Sequence, residues 1–270
     1  MDLCQKGWRS VSSSSFDLTG RVAVITGSSR GIGAAIARKF AAHGAKVAIS
    51  SRNQDACDAV AAELNAQYGA GTAIAVAASI SRKEDLERLV ERTRAELGLI
   101  DVVVCNAASN PYYGPMAGIS DDQFRKIMDN NILSNHWLIQ AALPDMRAKS
   151  RGSVVIISSI GGMQGSGSIG VYNISKAADF QLARNLAYEL GPDNIRVNCI
   201  APGLIQTDMA RALWEDEKVM GYVARITPLR RIGQPDEIAG AAVFLASDAS
   251  TYITGQSIVI DGGTTIAAAL

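Results

Sequence analysis

A doubly wound α/β fold, Rossmann-like and built on a single parallel sheet of about seven strands, is the fold class this sequence predicts. Three observations carry the prediction. Short β-branched apolar runs alternate with longer helical stretches along nearly the whole chain. The apolar runs are continuous rather than alternating, as in strands covered on both faces. A glycine-rich turn, "TGSSRGIG", joins the first such run to the first helical stretch.

In order, "RVAVIT" (21–26) predicts a strand and "IGAAIARKFAAHG" (32–44) a helix ending at a glycine C-cap. "KVAIS" (46–50) is the second strand, followed by a helix over 55–69. A third strand is expected over 72–78, then the charged helix 83–98. "DVVVCNA" (101–107) is the fourth strand. One long helix is expected over 121–148, with Pro144 breaking or kinking it near its end. "GSVVIISS" (152–159) is the fifth strand, and 171–191 the helix after it. "IRVNCIAPG" (195–203) is the sixth. Loops and helices cover 204–247, and "SIVIDGG" (257–263) closes the sheet. Ligands of such a fold lie at the carboxyl ends of the strands.

The 270 residues suit one large domain or two small ones. We read a flexible arm over 1–16 and a single domain over 17–270, with a flap at about 204–226. Net charge is zero and no basic block stands out, which argues against nucleic acid as a partner. The chain offers neither the apolar run of a signal peptide nor the ~18 apolar residues of a membrane span. Four widely spaced cysteines without a CxxC fit buried thiols in a reduced, cytoplasmic setting. The two histidines have no cluster of metal-ligating neighbours in sequence, so no metal is expected.

The turn at 26–33 places Gly27, Gly31 and Gly33 in a GxxxGxG spacing. Glycines there permit a tight turn, let backbone approach a pyrophosphate, and let helix pack on strand. The helix N-terminus then offers free N–H groups and a positive dipole end to phosphate. Many dinucleotide sites end their second strand with an acid that grips the adenosine ribose. Here the chain reads Ser50, Ser51, Arg52. Without the acid a 2′-phosphate is not repelled, and Arg52 can fork onto it. Arg30, in the glycine turn, is expected to approach the same phosphate from the other side. The reading is a preference for NADP(H).

"YNISK" puts Tyr172 and Lys176 on one face of a helix. A free tyrosine is a poor base at neutral pH. A fixed ammonium nearby, and the positive ring of an oxidised nicotinamide, favour the tyrosinate and fit it for proton transfer. Ser159 ends the fifth expected strand, where its hydroxyl could lie beside the phenol. Asn131, in "DNNIL", could be a plain helix irregularity or could hold a water linking Lys176 to solvent.

Taken together, "TGSSRGIG", "NA" at 106–107, "NN" at 130–131, Ser159, "YNISK" and "PGLIQTDM" at 202–209 resemble the short-chain dehydrogenase/reductase family over about 18–263. The chain is similar to NADP(H)-dependent carbonyl reductases of the retinol dehydrogenase/reductase type and to 3-oxoacyl-carrier-protein reductases. The resemblance implies a catalytic tetrad of Asn131, Ser159, Tyr172 and Lys176. Ser159 would polarise a substrate oxygen and Tyr172 would protonate it. Lys176 would bind the nicotinamide ribose and tune Tyr172, and Asn131 would anchor a relay water. It also implies Asn106 and Ala107 on the adenosine side, and Pro202, Gly203, Ile205 and Thr207 against the nicotinamide. Ser29, Ile32, Ser51, Asn53 and Ile80 complete the expected cofactor residues, with Tyr172 and Lys176. Thr207 could equally cap the helix that follows it.

Two departures stand out. Ala108 takes the place of a frequent family glycine, and Ser79 that of an aspartate near the adenine. The expected substrate wall comes from "SNPYYGPM", "IGGMQGSGSIG" and 204–226, where Met209, Leu213, Trp214, Met220 and Tyr222 are apolar. No Arg or Lys is dedicated to a substrate carboxylate, which points to an uncharged ketone or aldehyde, reduced to an alcohol. A 3-oxoacyl thioester is the alternative, with Arg125, Lys126, Arg147, Lys149 and Arg151 as a candidate surface for an acidic carrier. A non-catalytic dinucleotide sensor is a remote third reading. By family analogy the assembly is a homotetramer.

Overall fold

The computed structural model describes residues 15–267, so all but the last two residues of the expected arm lie outside the described residues. Seven parallel strands run in the order β3-β2-β1-β4-β5-β6-β7. They are β1 (Val22–Thr26), β2 (Lys46–Ser50), β3 (Ala73–Ala75), β4 (Val102–Cys105), β5 (Gly152–Ile157), β6 (Ile195–Pro202) and β7 (Ser257–Ile260). The chain reverses its direction of growth between β1 and β4. The crevice outside their carboxyl ends is therefore the topological switch point where ligands bind in such sheets.

Successive residues of β1 feed opposite layers, as strand geometry demands. Ala23 and Ile25 pack with α1 (Gly31–Ala42), α2 (Gln54–Tyr68) and α9 (Pro235–Ala246). Val22 and Val24 pack with α3 (Lys83–Leu97), α5 (Ser134–Ala148) and α6 (Gly170–Leu190). Each of the large side chains buried here, Phe40 and Leu89 among them, contributes about 1.5–3 kcal/mol through the area it hides.

Three sequence expectations need correction. The third strand is shorter than 72–78, though the chain beyond it stays tied to β2 by bonds from Val76 N–H to Ile49 and from Ala78 N–H to Ser51. The fifth strand ends at Ile157, so Ser159 stands two residues beyond it, capping the 3-10 turn Ile160–Met163. The long helix is not continuous, and Pro144 is not what interrupts it. Helix α4 (Asp121–Met128) passes into a π-helical stretch, Asp129–Leu133, before α5. Pro144 sits inside α5, where the carbonyl deprived of a donor belongs to Gln140, a residue on the exposed side.

Candidate active site

The glycine turn follows β1 directly. Gly27 and Gly31 adopt φ of +66° and +56°, a region only glycine enters without strain. Gly33 is required for a different reason. A Cβ there would lie 2.4 Å from the Gly27 carbonyl oxygen and 2.6 Å from the Asn106 amide nitrogen, so the first turn of α1 presses on the loop. Asn106 holds this arrangement from β4. Its amide nitrogen donates to the carbonyls of Thr26 (2.9 Å) and Gly27 (3.2 Å), and the Thr26 hydroxyl accepts from the N–H groups of Asn106 and Ala107. Asn106 thus supports the turn, its amide nitrogen facing the loop carbonyls. Ser28, fully buried, ties the turn to β2: it donates to Ile25 and accepts from Ser50 N–H.

The N-terminus of α1 has no side-chain cap and no acid in its first turn. Its N–H groups therefore remain available to an anion. At the end of β2, Ser51 bonds within its own loop and to Cys57, and Asn53 caps α2 by accepting from Ala56 N–H. Arg52 is exposed and makes no hydrogen bond or ion pair among the described residues. Arg30 is exposed as well but reaches Asp208 at 3.3 Å. An uncapped helix N-terminus, positive-φ glycines and a guanidinium unpaired among the described residues thus stand together at the carboxyl ends of β1 and β2. Ser79 and Ile80 lie beyond β3, where Asp85 accepts from Ser79 N–H.

The second half of the site gathers at the ends of β5 and β6. Lys176, buried on α6, donates from Nζ to the Ile157 carbonyl (2.9 Å) and stands 5.7 Å from the Tyr172 ring centroid. Ser158 donates to the Lys176 carbonyl. Ser159 accepts from Gly161 N–H at 3.0 Å, which leaves its hydroxyl hydrogen free to donate. The turn can sit this close to α6 because Gly161 and Gly162 have no side chains. A Cβ on Gly162 would meet the Lys176 backbone at 2.6 Å.

Asn131, fully buried in the π-helical stretch, uses its whole side chain. It accepts from Ser109 N–H and donates to the Ser109 carbonyl and to the Ser175 hydroxyl (3.0 Å), which in turn donates to the Tyr172 carbonyl. It therefore clamps the loop after β4 to α6 between Tyr172 and Lys176. Hydrogen bonds thus link Asn131 through Ser175 to the Tyr172 backbone on the helix that carries Lys176. Among the described residues Ser159 bonds only within its own 3-10 turn, next to the Ser158 that donates to Lys176. Ser109, expected only as substrate wall, belongs to the Asn131 network, and so do two residues that sequence reading missed: Asn135 and Asp179. Asn135 donates to the Asn131 carbonyl and to Asp179, and Asp179 accepts from Lys176.

Pro202 and Gly203 bring β6 to the same edge, Gly203 packed so tightly that a Cβ would lie 2.8 Å from Asp261. Ile205 packs its side chain in the core against Gly233, so its expected place at a nicotinamide would be through its backbone. Thr207 makes no capping bond with its side chain, so that ordinary role is not the one it plays. Its carbonyl accepts from Trp214 of α7 (Arg211–Trp214), folding the start of the flap back on the loop. Met209 and Tyr222 are largely exposed, the latter on α8 (Glu217–Ile226).

A family model described as "Enoyl-(Acyl carrier protein) reductase" matches residues 27–265. The chain is 42% identical over 246 residues to Dehydrogenase/reductase SDR family member 4 of Oryctolagus cuniculus, spanning 91% of this chain and 94% of that protein. The human member 4 is 40% identical over 271 residues, 98% of this chain and 96% of that one. This chain belongs to the short-chain dehydrogenase/reductase family. It is an oxidoreductase of that family. Among solved structures, a 7α-hydroxysteroid dehydrogenase complexed with NADH and 7-oxo glycochenodeoxycholic acid superposes with a TM-score of 0.89 at 35% identity, covering 93% of this chain and 97% of that one. A gluconate 5-dehydrogenase from Burkholderia cenocepacia J2315, in complex with NADP and tartrate, also gives 0.89, at 31% identity and coverage of 94% and 99%. Among the described residues, no helix is long and apolar enough to cross a membrane.

Proposed function

We propose that this protein is an NADP(H)-dependent reductase of a ketone or aldehyde, with Tyr172 as the proton donor. The observation that carries the reading is the buried Lys176 ammonium, held 5.7 Å from the Tyr172 ring centroid by the Ile157 carbonyl at the end of β5, with Ser159 two residues beyond that strand and its hydroxyl hydrogen free. A bound nicotinamide dinucleotide supplies the hydride.

The protein's own residues do the rest. The glycine turn and the N-terminus of α1 hold the pyrophosphate. Arg52, with Arg30, holds the 2′-phosphate. Lys176 binds the nicotinamide ribose and keeps positive charge beside the phenol. Ser159 donates to the carbonyl oxygen as negative charge develops there. Tyr172 delivers its proton to that oxygen. Asn131 fixes the loop after β4 against α6 and so sets the substrate wall.

The thioester alternative asked for a free basic surface. Arg125 pairs with Asp121 and Asp122, Arg147 with Asp193, and Lys149 and Arg151 both with the buried Asp101. Only Lys126 of the five has no carboxylate partner among the described residues. That favours a small uncharged carbonyl compound over an acidic carrier. By the same reading the protein works in the cytoplasm as a homotetramer. The test is an initial-rate panel of ketones, aldehydes and 3-oxoacyl thioesters with NADPH and NADH in parallel. Reduction confined to the thioesters, or equal use of the two cofactors, would overturn it.

A further inference from the structure

Lys176 has a counterion that the proposed reaction does not use. Its Nζ donates to Asp179 Oδ2 at 3.1 Å, one turn further along α6. The side chains are 3% and 0% exposed, so the pair lies wholly inside the protein. An aspartate does not arrive at such a place by indifference, because an unpaired carboxylate in the core is strongly disfavoured. Its second oxygen accepts from Asn135 at 3.1 Å, and Asn135 also donates to the Asn131 carbonyl at 2.6 Å. A continuous chain of bonds thus runs from Lys176 through Asp179 and Asn135 to the π-helical stretch.

We infer that Asp179 is a positioning residue for Lys176, its carboxylate holding the buried ammonium charged and in place at the end of β5. The inference rests on the proposed role of Lys176. Other groups face the pair from each neighbouring element: Tyr172 on α6 itself, Ser158 beyond β5, Asn135 on α5, Cys105 on β4 and Cys199 on β6. Burial pushes both thiols far up, so they stay neutral. Among the described residues Asp179 is then the carboxylate placed to offset the burial of Lys176, and burial, opposed by Lys176, pushes its own carboxyl up. Burial acts most strongly on Lys176 and works against its charge. Asp179 foremost, with Tyr172, more than reverses this and holds the ammonium above its ordinary range. Take the carboxylate away and burial alone remains, which drives a lysine toward its neutral form.

The experiment compares wild type, Asp179→Asn and Asp179→Glu as full chains. Lysines labelled with 13C at the ε carbon are followed by NMR from pH 6 to 11 in cofactor-free protein. The Lys176 resonance is assigned by its loss in Lys176→Met. Lys176 of Asp179→Asn is expected to lose its proton ~2 or more pH units below wild type. kcat/KM for carbonyl reduction by NADPH falls from that same pH, while Asp179→Glu stays near wild type on both readouts. A Lys176 titration unmoved in folded Asp179→Asn overturns the inference, as does an equal shift in both variants. Should Asp179→Asn not accumulate as folded protein, Asp179→Gln against Asp179→Glu makes the same comparison at a longer side chain. If wild type reduces no carbonyl compound, the proposed function fails, yet the lysine titration still decides the role of Asp179.

Discussion

Replacing Arg52 with alanine separates the two nicotinamide cofactors if the free guanidinium at the end of β2 is a phosphate ligand. Arg52 gives up no existing bond among the described residues when it binds, and its removal leaves no partner stranded. The loss is therefore the contact itself, a charge-assisted bond worth about 1.5–3 kcal/mol. At a factor of ten per 1.4 kcal/mol, NADPH binding weakens roughly 10- to 100-fold. Because the site is exposed, the lower end applies at physiological salt and the higher end in dilute buffer. Arg30→Ala has a smaller effect, since Arg30 must first leave Asp208, 3.3 Å away. Asp208→Asn should tighten NADPH slightly by releasing Arg30. The assay is calorimetric titration of wild type and the three variants with NADPH and NADH. NADH, lacking the phosphate, should bind all four alike. A parallel loss of both cofactors in Arg52→Ala would refute the phosphate clamp and leave Arg52 a surface residue.

Gly33→Ala inserts a methyl group 2.4 Å from the Gly27 carbonyl and against the Asn106 amide. Overpacking there costs about 1–3 kcal/mol, so the melting temperature drops and affinity for both cofactors falls together; unchanged calorimetric binding would count against the turn as the pyrophosphate cradle. Asn131→Ala leaves Ser109 and Ser175 without their shared partner, and should lower kcat more than it raises KM for NADPH in steady-state kinetics. The Glu237 carboxyl, bonded by Arg231 and by Gln234 N–H at the start of α9, is held at about 2 instead of 4.5. Its stabilising effect is present above pH 4.5 and is lost as pH falls from 4.5 toward 2. Melting curves of Glu237→Gln should therefore converge with wild type as pH drops through that window.

Local signals made most of the fold legible. The continuous apolar runs mark β1, β2, β4, β5 and β6 because each is buried on both faces, and the glycine turn is visible because its backbone demands are met within eight residues. The Tyr172–Lys176 spacing shows itself in the same way, through helix geometry alone. What stayed hidden depends on partners distant in sequence. Asp179 reads as one more polar helix residue until β5 and α5 close over it. Asn135 matters only because it faces Asp179 from another helix. Asn106 also braces the glycine loop with its amide, a role visible only once β4 lies beside β1. Pro144 misled for a plainer reason: a proline stops a helix only where the orphaned carbonyl has no other recourse, and here it lies on the exposed side. The π-helical stretch carries no sequence signature of its own. Its place is fixed by Asn131 reaching Ser109 and Ser175.

Initial rates for wild type and Tyr172→Phe, measured with NADPH across ketones, aldehydes and 3-oxoacyl thioesters, test the central claim most directly. The account predicts reduction of a ketone or aldehyde by wild type. In the variant it predicts a fall in kcat on the order of 10²–10⁴-fold with NADPH affinity retained. Full turnover by Tyr172→Phe would contradict it.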